Sequence, residues 1–213
     1  MSLGRPIESN VARPSLAARI ATITRRMKPV LVGQMGRESR TFRLIPWGAS
    51  VDGPRTVRFG RGVRLLRDVT IDGSGGSILL EDGVVVCRFA VLEAAGGSIR
   101  IGRNSVIGDY SSLYGQGGLN IGENVLLASG VRLVPSSHIF DRVDIPIRTQ
   151  GIRGIGIKIG DGAWIGTNVV VLDGVEIGRN VIVGAGSVVT HDLSEGAIAA
   201  GVPARVLRYR YEA

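Results

Sequence analysis

From Ile159 onward an aliphatic residue returns at every sixth position. Set in sixes, the chain reads IGDGAW, IGTNVV, VLDGVE, IGRNVI, VGAGSV and VTHDLS, headed by Ile159, Ile165, Val171, Ile177, Val183 and Val189. The second place is Gly in four hexads (Gly160, Gly166, Gly178, Gly184), and the fifth is small or β-branched in five (Ala163, Val169, Val175, Val181, Ser187). Such a period fits neither the roughly 3.6 of a helix nor the alternation of a hairpin, and short fixed repeats mark solenoids. The pattern predicts one short strand and a turn per hexad, with three hexads closing a triangular coil. First-place aliphatics would point inward and stack on those of the next coil, while fifth-place residues fill the corners. The second-place glycines suit backbone conformations, such as the left-handed one, that a Cβ would oppose. Coils stacked at about 4.8 Å give a parallel β-helix.

Upstream the same pattern runs with a longer period. Phe59-Gly60, Leu80-Glu81, Ile101-Gly102 and Ile121-Gly122 recur at 21, 21 and 20 residues, which predicts coils with extra corner residues such as DGSGGS (72–77) and EAAGGS (93–98). The coils are expected to begin around Val57 and to run to residue 208. Ile121 to Ile159 spans 38 residues, so a loop over 135–156 is expected to leave the solenoid. Loops on a rigid scaffold are where chemistry is usually placed. Ahead of the coils, residues 1–56 form a separate segment. Ser15 can cap a helix over 15–28, in which Leu16, Ile20, Ile23 and Met27 share a face ringed by Arg19, Arg25, Arg26 and Lys28. That helix would pack on the β-helix or lie on a membrane surface. An early strand is expected at Thr41–Ile45. Residues 209–213 form a short tail, and VLRYRYEA is expected to pack on a coil face.

Composition narrows the chemistry. Thirty-two Gly against ten aromatic residues suit a chain of tight corners rather than a conventional globule. Cys87 is the sole cysteine, which excludes an intrachain disulfide and a cysteine zinc site, and its apolar run VVVCRFAV reads as a buried hydrophobe. Two histidines, His138 and His191, argue against a three-histidine zinc centre, so no metal is expected. The net charge of +8 is uneven: residues 1–70 hold 14 Arg or Lys against four Asp or Glu. Such a block attracts phosphates, anionic glycans or membrane headgroups. No nucleic-acid motif accompanies it. Neither a secretory signal nor a spanning apolar run is evident, so the expected location is cytoplasmic, with the inner face of a membrane as a docking place.

IGDGAWIGTNVVVLDGVEIG (159–178), GAGSVVTHD (184–192) and AGVPARVLR (200–208) together resemble the hexapeptide-repeat acyltransferases, in the sugar and polysaccharide O-acetyltransferase branch that includes galactoside, maltose and capsule acetyltransferases. The resemblance covers about residues 100 to 208. It implies an all-β, left-handed parallel β-helix, a homotrimer with the cofactor in the groove between subunits, and acetyl-CoA as acyl donor. Left-handedness, which runs against the usual crossover rule, comes from the resemblance and not from the spacing.

Acyl transfer to a hydroxyl needs a base for the hydroxyl proton, donors for the oxyanion and a proton for the departing thiolate. A neutral histidine can serve as base and then as acid. His138, in SSHIFD, matches the loop histidine of the family. Asp141, Asp144 or the Ser136-Ser137 pair could orient it, and either carboxylate reads equally as a solvated loop charge. For the acceptor the family uses an asparagine one coil earlier. DYSSLYG (109–115) has none, which leaves Asp109, Ser112 or Tyr114 as candidates. The resemblance places Trp164 near the thiol arm, and Gly166, Gly184, Ala185, Gly186 and Ser187 permit close approach of that arm. Thr190 and His191 occupy a Thr-Lys-Asp position of the family, where a lysine would meet a cofactor phosphate. Arg205 and Arg208 are further cations there, and His191 reads equally as a coil-end residue. The expected activity is acetyl transfer to a sugar hydroxyl. The alternatives are N-acetylation of an amino sugar and a non-catalytic scaffold, against which His138, Trp164 and the loop argue.

Overall fold

The computed structural model describes residues 29–32, 43–46, 48–53 and 55–211. Its body is a stack of about seven coils with three parallel sheets as faces. The first sheet holds Val57–Phe59, Ser77–Leu80, Ser98–Ile101, Leu119–Ile121, Ile157–Ile159 and Glu176–Ile177. Six strands from Arg64–Leu65 to Ile182–Val183 form the second sheet, which ends in Ala197–Gly201 and Ala204–Tyr209. The third runs from Ser50–Asp52 to Val188–Val189. This is the parallel β-helix expected from the hexads, with the left-handed sense that the resemblance implies. It begins one strand earlier than the period suggests, because Ser50–Asp52 already pairs in parallel with Thr70–Asp72. The helix expected over 15–28 lies outside the described residues. Pro29–Val32 and Arg43–Pro46 form an antiparallel pair, so the expected early strand is found slightly later in the chain.

Why the hexad works is visible in the register. Phe59, Leu80, Ile101, Ile121, Ile159 and Ile177 stand directly above one another on the first sheet. First-place Ile165, Val171, Val183 and Val189 and fifth-place Ala163, Val169, Val175 and Val181 are all buried in one continuous core. Each aliphatic buried there stabilises the fold by about 1.5–3 kcal/mol. Three serines also enter the interior, Ser105, Ser111 and Ser187. Each hydroxyl donates to a backbone carbonyl, for example Ser105 Oγ to Gly122 O at 2.9 Å, and no described buried side-chain polar atom lacks a partner.

The second-place glycines have a different reason from the one expected. None of the four lies in the left-handed region; a Cβ on Gly160, Gly166 or Gly178 would come within 2.6–2.7 Å of backbone nitrogen in the next coil. Left-handed backbone falls instead at the fourth place, at Gly162, Asn168, Gly174, Asn180 and Gly186. Those are the residue types that tolerate it. The C-terminal tail also differs from expectation. Ala204–Tyr209 turns back antiparallel on Ala197–Gly201 and extends the second sheet instead of lying on a coil face, because its backbone completes that sheet's open edge. No helix among the described residues is long and apolar enough to cross a membrane.

Candidate active site

Extra residues in the long coils gather at one edge of the prism, where the third sheet turns into the first. Gly73–Gly76, Ala94–Gly97 and Gly115–Gly118 occupy it in successive coils. One coil later the chain leaves this edge after Leu133 and returns at Ile157. The protruding loop is thus the largest member of a series of corner insertions. Its two stems form a ribbon, with Ser137–His138 antiparallel to Ile152–Arg153 and His138 opposite Ile152. Ile139 N donates to Gly151 O at 3.0 Å.

Both neighbouring coils grip the ribbon's base. Below it, Ser136 Oγ donates to Gln116 Oε1 at 3.1 Å, and the Pro135 carbonyl approaches so closely that a Cβ on Gly117 would clash with it. Above it, the Asp173 carboxylate accepts from Ile155 N at 2.9 Å and Gly156 N at 2.8 Å, while Gly174 N donates to Gly156 O at 2.8 Å. Farther out, Gln150 ties the loop together: its Oε1 accepts from Arg142 N at 3.0 Å and its Nε2 donates to Arg142 O at 2.7 Å.

His138 is exposed near the base of this ribbon, and its ring makes no hydrogen bond among the described residues. Of the two carboxylates that could orient it, Asp144 is paired with Arg142, whose Nε donates at 3.0 Å. That contact holds the Asp144 carboxyl below its usual range. Asp141 lies exposed in the same loop.

The acceptor candidates divide between an edge and a face. Asp109 stands where the second sheet turns into the third and is engaged by Arg88, whose backbone N–H donates at 2.8 Å and whose Nη2 donates at 2.7 Å. Ser112 and Tyr114 are half-buried on the third sheet. Trp164 projects from the second sheet between Leu126 and Ile182, half-exposed. Gly166, Gly184, Ala185 and Gly186 follow at the edge between the second and third sheets. Ser187 is turned inward there, its hydroxyl donating to Gly184 O at 2.7 Å and accepting from Gly201 N at 3.0 Å. Arg205 and Arg208 lie on the strand that ends the second sheet. Thr190 and His191 sit on the loop's edge instead, with Thr190 Oγ1 2.8 Å from His191 Nδ1. Within one chain, therefore, His138 and the small-residue edge occupy different edges of the prism.

Cys87 is buried beside Leu66, Val85 and Val106, and burial, with the negative Asp109 nearby, pushes its thiol up to about 11. That is an inert core thiol, as its apolar setting suggested. No group of three or more His, Cys, Asp or Glu side chains that could hold a metal ion occurs among the described residues. Sequence reasoning missed the supports: Gln116, Gln150 and Asp173. For Gln116 and Asp173 the signal is positional, since the corners one coil before and after an insertion are the ones placed to brace it; Gln150 lies within the loop itself.

Two hexapeptide families match the chain: the bacterial transferase hexapeptide (six repeats) over residues 156–191, and the hexapeptide repeat of succinyl-transferase over 98–134. The chain carries the hexapeptide repeats of these transferases over those two stretches. A probable acetyltransferase of Mycobacterium tuberculosis is 34% identical over 154 residues, 72% of this chain and 44% of that protein. The galactoside O-acetyltransferase of Escherichia coli is 40% identical over 116 residues, 51% of this chain and 52% of its own length. The chain thus spans about half the length of these curated relatives. Among solved structures, an N-acyltransferase from Bacillus cereus in complex with dTDP-4-amino-4,6-dideoxyglucose and coenzyme A is 25% identical, with TM-score 0.63, covering 73% of this chain and 84% of that one.

Proposed function

We propose that this protein transfers an acetyl group from acetyl-CoA to a hydroxyl of a sugar or polysaccharide precursor, with His138 as general base. The observation that carries this reading is the ribbon: a histidine on a braced projection at the one edge where a coil is interrupted, in a chain whose relatives are named acetyltransferases. The acceptor O–H proton passes to an imidazole nitrogen of His138 as the oxygen attacks the thioester carbonyl carbon. Backbone N–H groups steady the oxyanion. On collapse the C–S bond breaks and the imidazolium returns its proton to the thiolate, leaving ester and free thiol. No covalent enzyme intermediate is formed.

The working form is the homotrimer that the resemblance implies, and the separation of the histidine from the small-residue edge within one prism supports a site completed by a neighbouring copy. Trp164 and the Gly166 and Gly184–Gly186 backbone would then line the thiol arm, with Arg205 and Arg208 toward the phosphates. The basic N-terminal block would hold the enzyme against an anionic membrane or glycan. Acetylation of an amino sugar is the second reading, favoured by the Bacillus cereus N-acyltransferase likeness.

Titration calorimetry with acetyl-CoA, followed by transfer assays on matched hydroxyl and amino sugars, tests these readings. Saturable binding near one molecule per chain with faster transfer to the hydroxyl sugar is expected. Faster transfer to the amine would move the assignment to the second reading. Folded, oligomeric protein that binds no acetyl-CoA would refute both.

A further inference from the structure

The edge between the second and third sheets carries one residue per coil in left-handed backbone: Gly48, Asp68, Phe89, Tyr110, Gly130, Asn168 and Gly186. Five of the seven are Gly, Asn or Asp, the types this conformation favours. Phe89 (φ 58°) and Tyr110 (φ 61°) are not, and they follow one another in consecutive coils. A bulky residue held in this region is an outlier that points toward function.

The two rings stack with centroids 4.9 Å apart and planes 7° from parallel, close to the coil spacing, so they pile along the prism axis. The far side of Phe89 is covered by the Arg67 guanidinium, 5.5 Å from the ring centroid. The far side of Tyr110 faces the next coil, where the matching residue is Gly130; among the described residues no second aromatic ring stacks on it, and the Arg132 guanidinium stands nearby, donating to Gly130 O at 3.4 Å. Tyr110 is 61% exposed. Beyond Gly130, the Asn168 carboxamide reaches back toward the Gly130 Cα, and the exposed hydroxyls of Ser129 and Thr167 flank it. The Arg88–Asp109 ion pair fixes the backbone just before both rings.

We propose that the free face of Tyr110 is a stacking platform for a pyranose ring, a specificity element of the acceptor site that rests on the sugar-acyltransferase reading. A π face is electron-rich, and the C–H-bearing face of a pyranose is its electrostatic complement. Tyr110 and Asn168 stand two coils apart, about 9.6 Å, with only Gly130 at the matching place between them, which suits a single ring. Asn168, Ser129 and Thr167 supply donors and acceptors at the slot's other wall for ring hydroxyls. Phe89 and Arg67 hold the Tyr110 ring flat against rotation. A pair of aromatics serving only to bind coils together would have no need of an uncovered outer face.

The test uses the full chain and two probes, methyl β-D-galactopyranoside and methyl α-D-glucopyranoside, with saturation-transfer NMR. Saturation is expected on the C–H protons of one ring face of at least one glycoside. It should be lost in Tyr110→Asn, which relieves the backbone, and kept in Tyr110→Phe. The melting temperature of Tyr110→Asn should stay within about 2 °C of the parent or rise, since a residue suited to left-handed backbone replaces one that is not. With a transferable acceptor, Tyr110→Asn should raise the sugar KM at least tenfold and leave the acetyl-CoA KM unchanged. Absence of saturation transfer to both glycosides overturns the proposal, as does transfer that survives Tyr110→Asn or is lost equally in Tyr110→Phe. A Tyr110→Asn protein that falls apart into monomers by light scattering would assign the stack to a subunit contact and also overturn it. The NMR readout needs no turnover. Glycoside binding without acyl transfer would therefore sink the enzymatic reading alone, and turnover indifferent to Tyr110 would sink the platform alone.

Discussion

Replacing Asp173 by Ala removes a support that stands between the solenoid and the histidine. Its carboxylate accepts from Ile155 N at 2.9 Å and from Gly156 N at 2.8 Å, where the loop rejoins the first sheet. From Ile155 the chain is two residues from Arg153, whose partner across the ribbon is Ser137, beside His138. A hydrogen bond to a charged group contributes about 1.5–3 kcal/mol when water is excluded. Here the carboxylate is half-buried and water can take over part of the role, so a loss of about 1–2 kcal/mol is the expectation for loop closure. At about 1.4 kcal/mol per factor of ten, that is roughly a 5- to 30-fold fall in the ratio of braced to unbraced ribbon. If His138 acts from that ribbon, kcat falls by up to the same factor, while the melting temperature moves by only a few degrees because the aliphatic core is untouched. Asp173→Asn keeps one acceptor oxygen and should fall between. The assay is steady-state kinetics alongside hydrogen exchange at the Ile139 amide, which bonds Gly151 across the ribbon. Wild-type turnover in Asp173→Ala with unchanged protection at Ile139 would refute the reasoning.

Other perturbations address the fold. Ile165→Ala empties a fully buried first-place position and should cost about 2–5 kcal/mol, read as a drop in melting temperature on the order of 10 °C; a shift of under 2 °C would mean that the coils do not share one core. Cys87, pushed up to about 11 by burial, should resist iodoacetamide in the native protein at pH 8 and react on unfolding, and rapid native alkylation would contradict its placement. Three carboxyls lie below their ordinary 3.8: Asp72 through the Ser74 hydroxyl and N–H, Asp82 through the Arg61 backbone N–H and guanidinium, and Asp144 through Arg142. A depressed folded pKa contributes stability that is present above the unfolded value and lost as pH falls through the folded one. Melting temperature should therefore be level from pH 7 to about 5 and decline below about 3.8; a rise on acidification would contradict these pairings.

Much of the architecture was legible because the hexad states two facts at once. An Ile or Val at the first place and a small or β-branched residue at the fifth can both point inward only in a triangular coil, and both are buried. The alternation of Gly and Asn at the fourth place also marked the left-handed corners, although that signal was read at the second place instead. What periodicity cannot convey is where an unrepeated segment goes. Ala204–Tyr209 has no hexad, and its hairpin with Ala197–Gly201 depends on a free sheet edge that exists only after the stack is built. For the site, the gap between Ile121 and Ile159 located the loop and its histidine. The supports at Gln116 and Asp173 lie 22 residues before and 35 after His138 in sequence, yet adjoin the loop through stacking of coils. Asp109 illustrates the converse: as a residue type it suits acceptor binding, but Arg88, 21 positions earlier, stands in the coil below and takes its carboxylate. Phe89 and Tyr110 escaped notice for the same reason, since 21 residues of sequence conceal a stack one coil apart.

The central claim is that the loop histidine moves the acceptor proton. Release of free thiol from acetyl-CoA in the presence of a sugar acceptor, compared between the parent and His138→Ala, tests it most directly. A fall of about 10²–10⁴ in turnover is expected, with acetyl-CoA binding by calorimetry unchanged. His138→Ala protein that turns over at the parent rate would remove His138 from the chemistry and contradict the account.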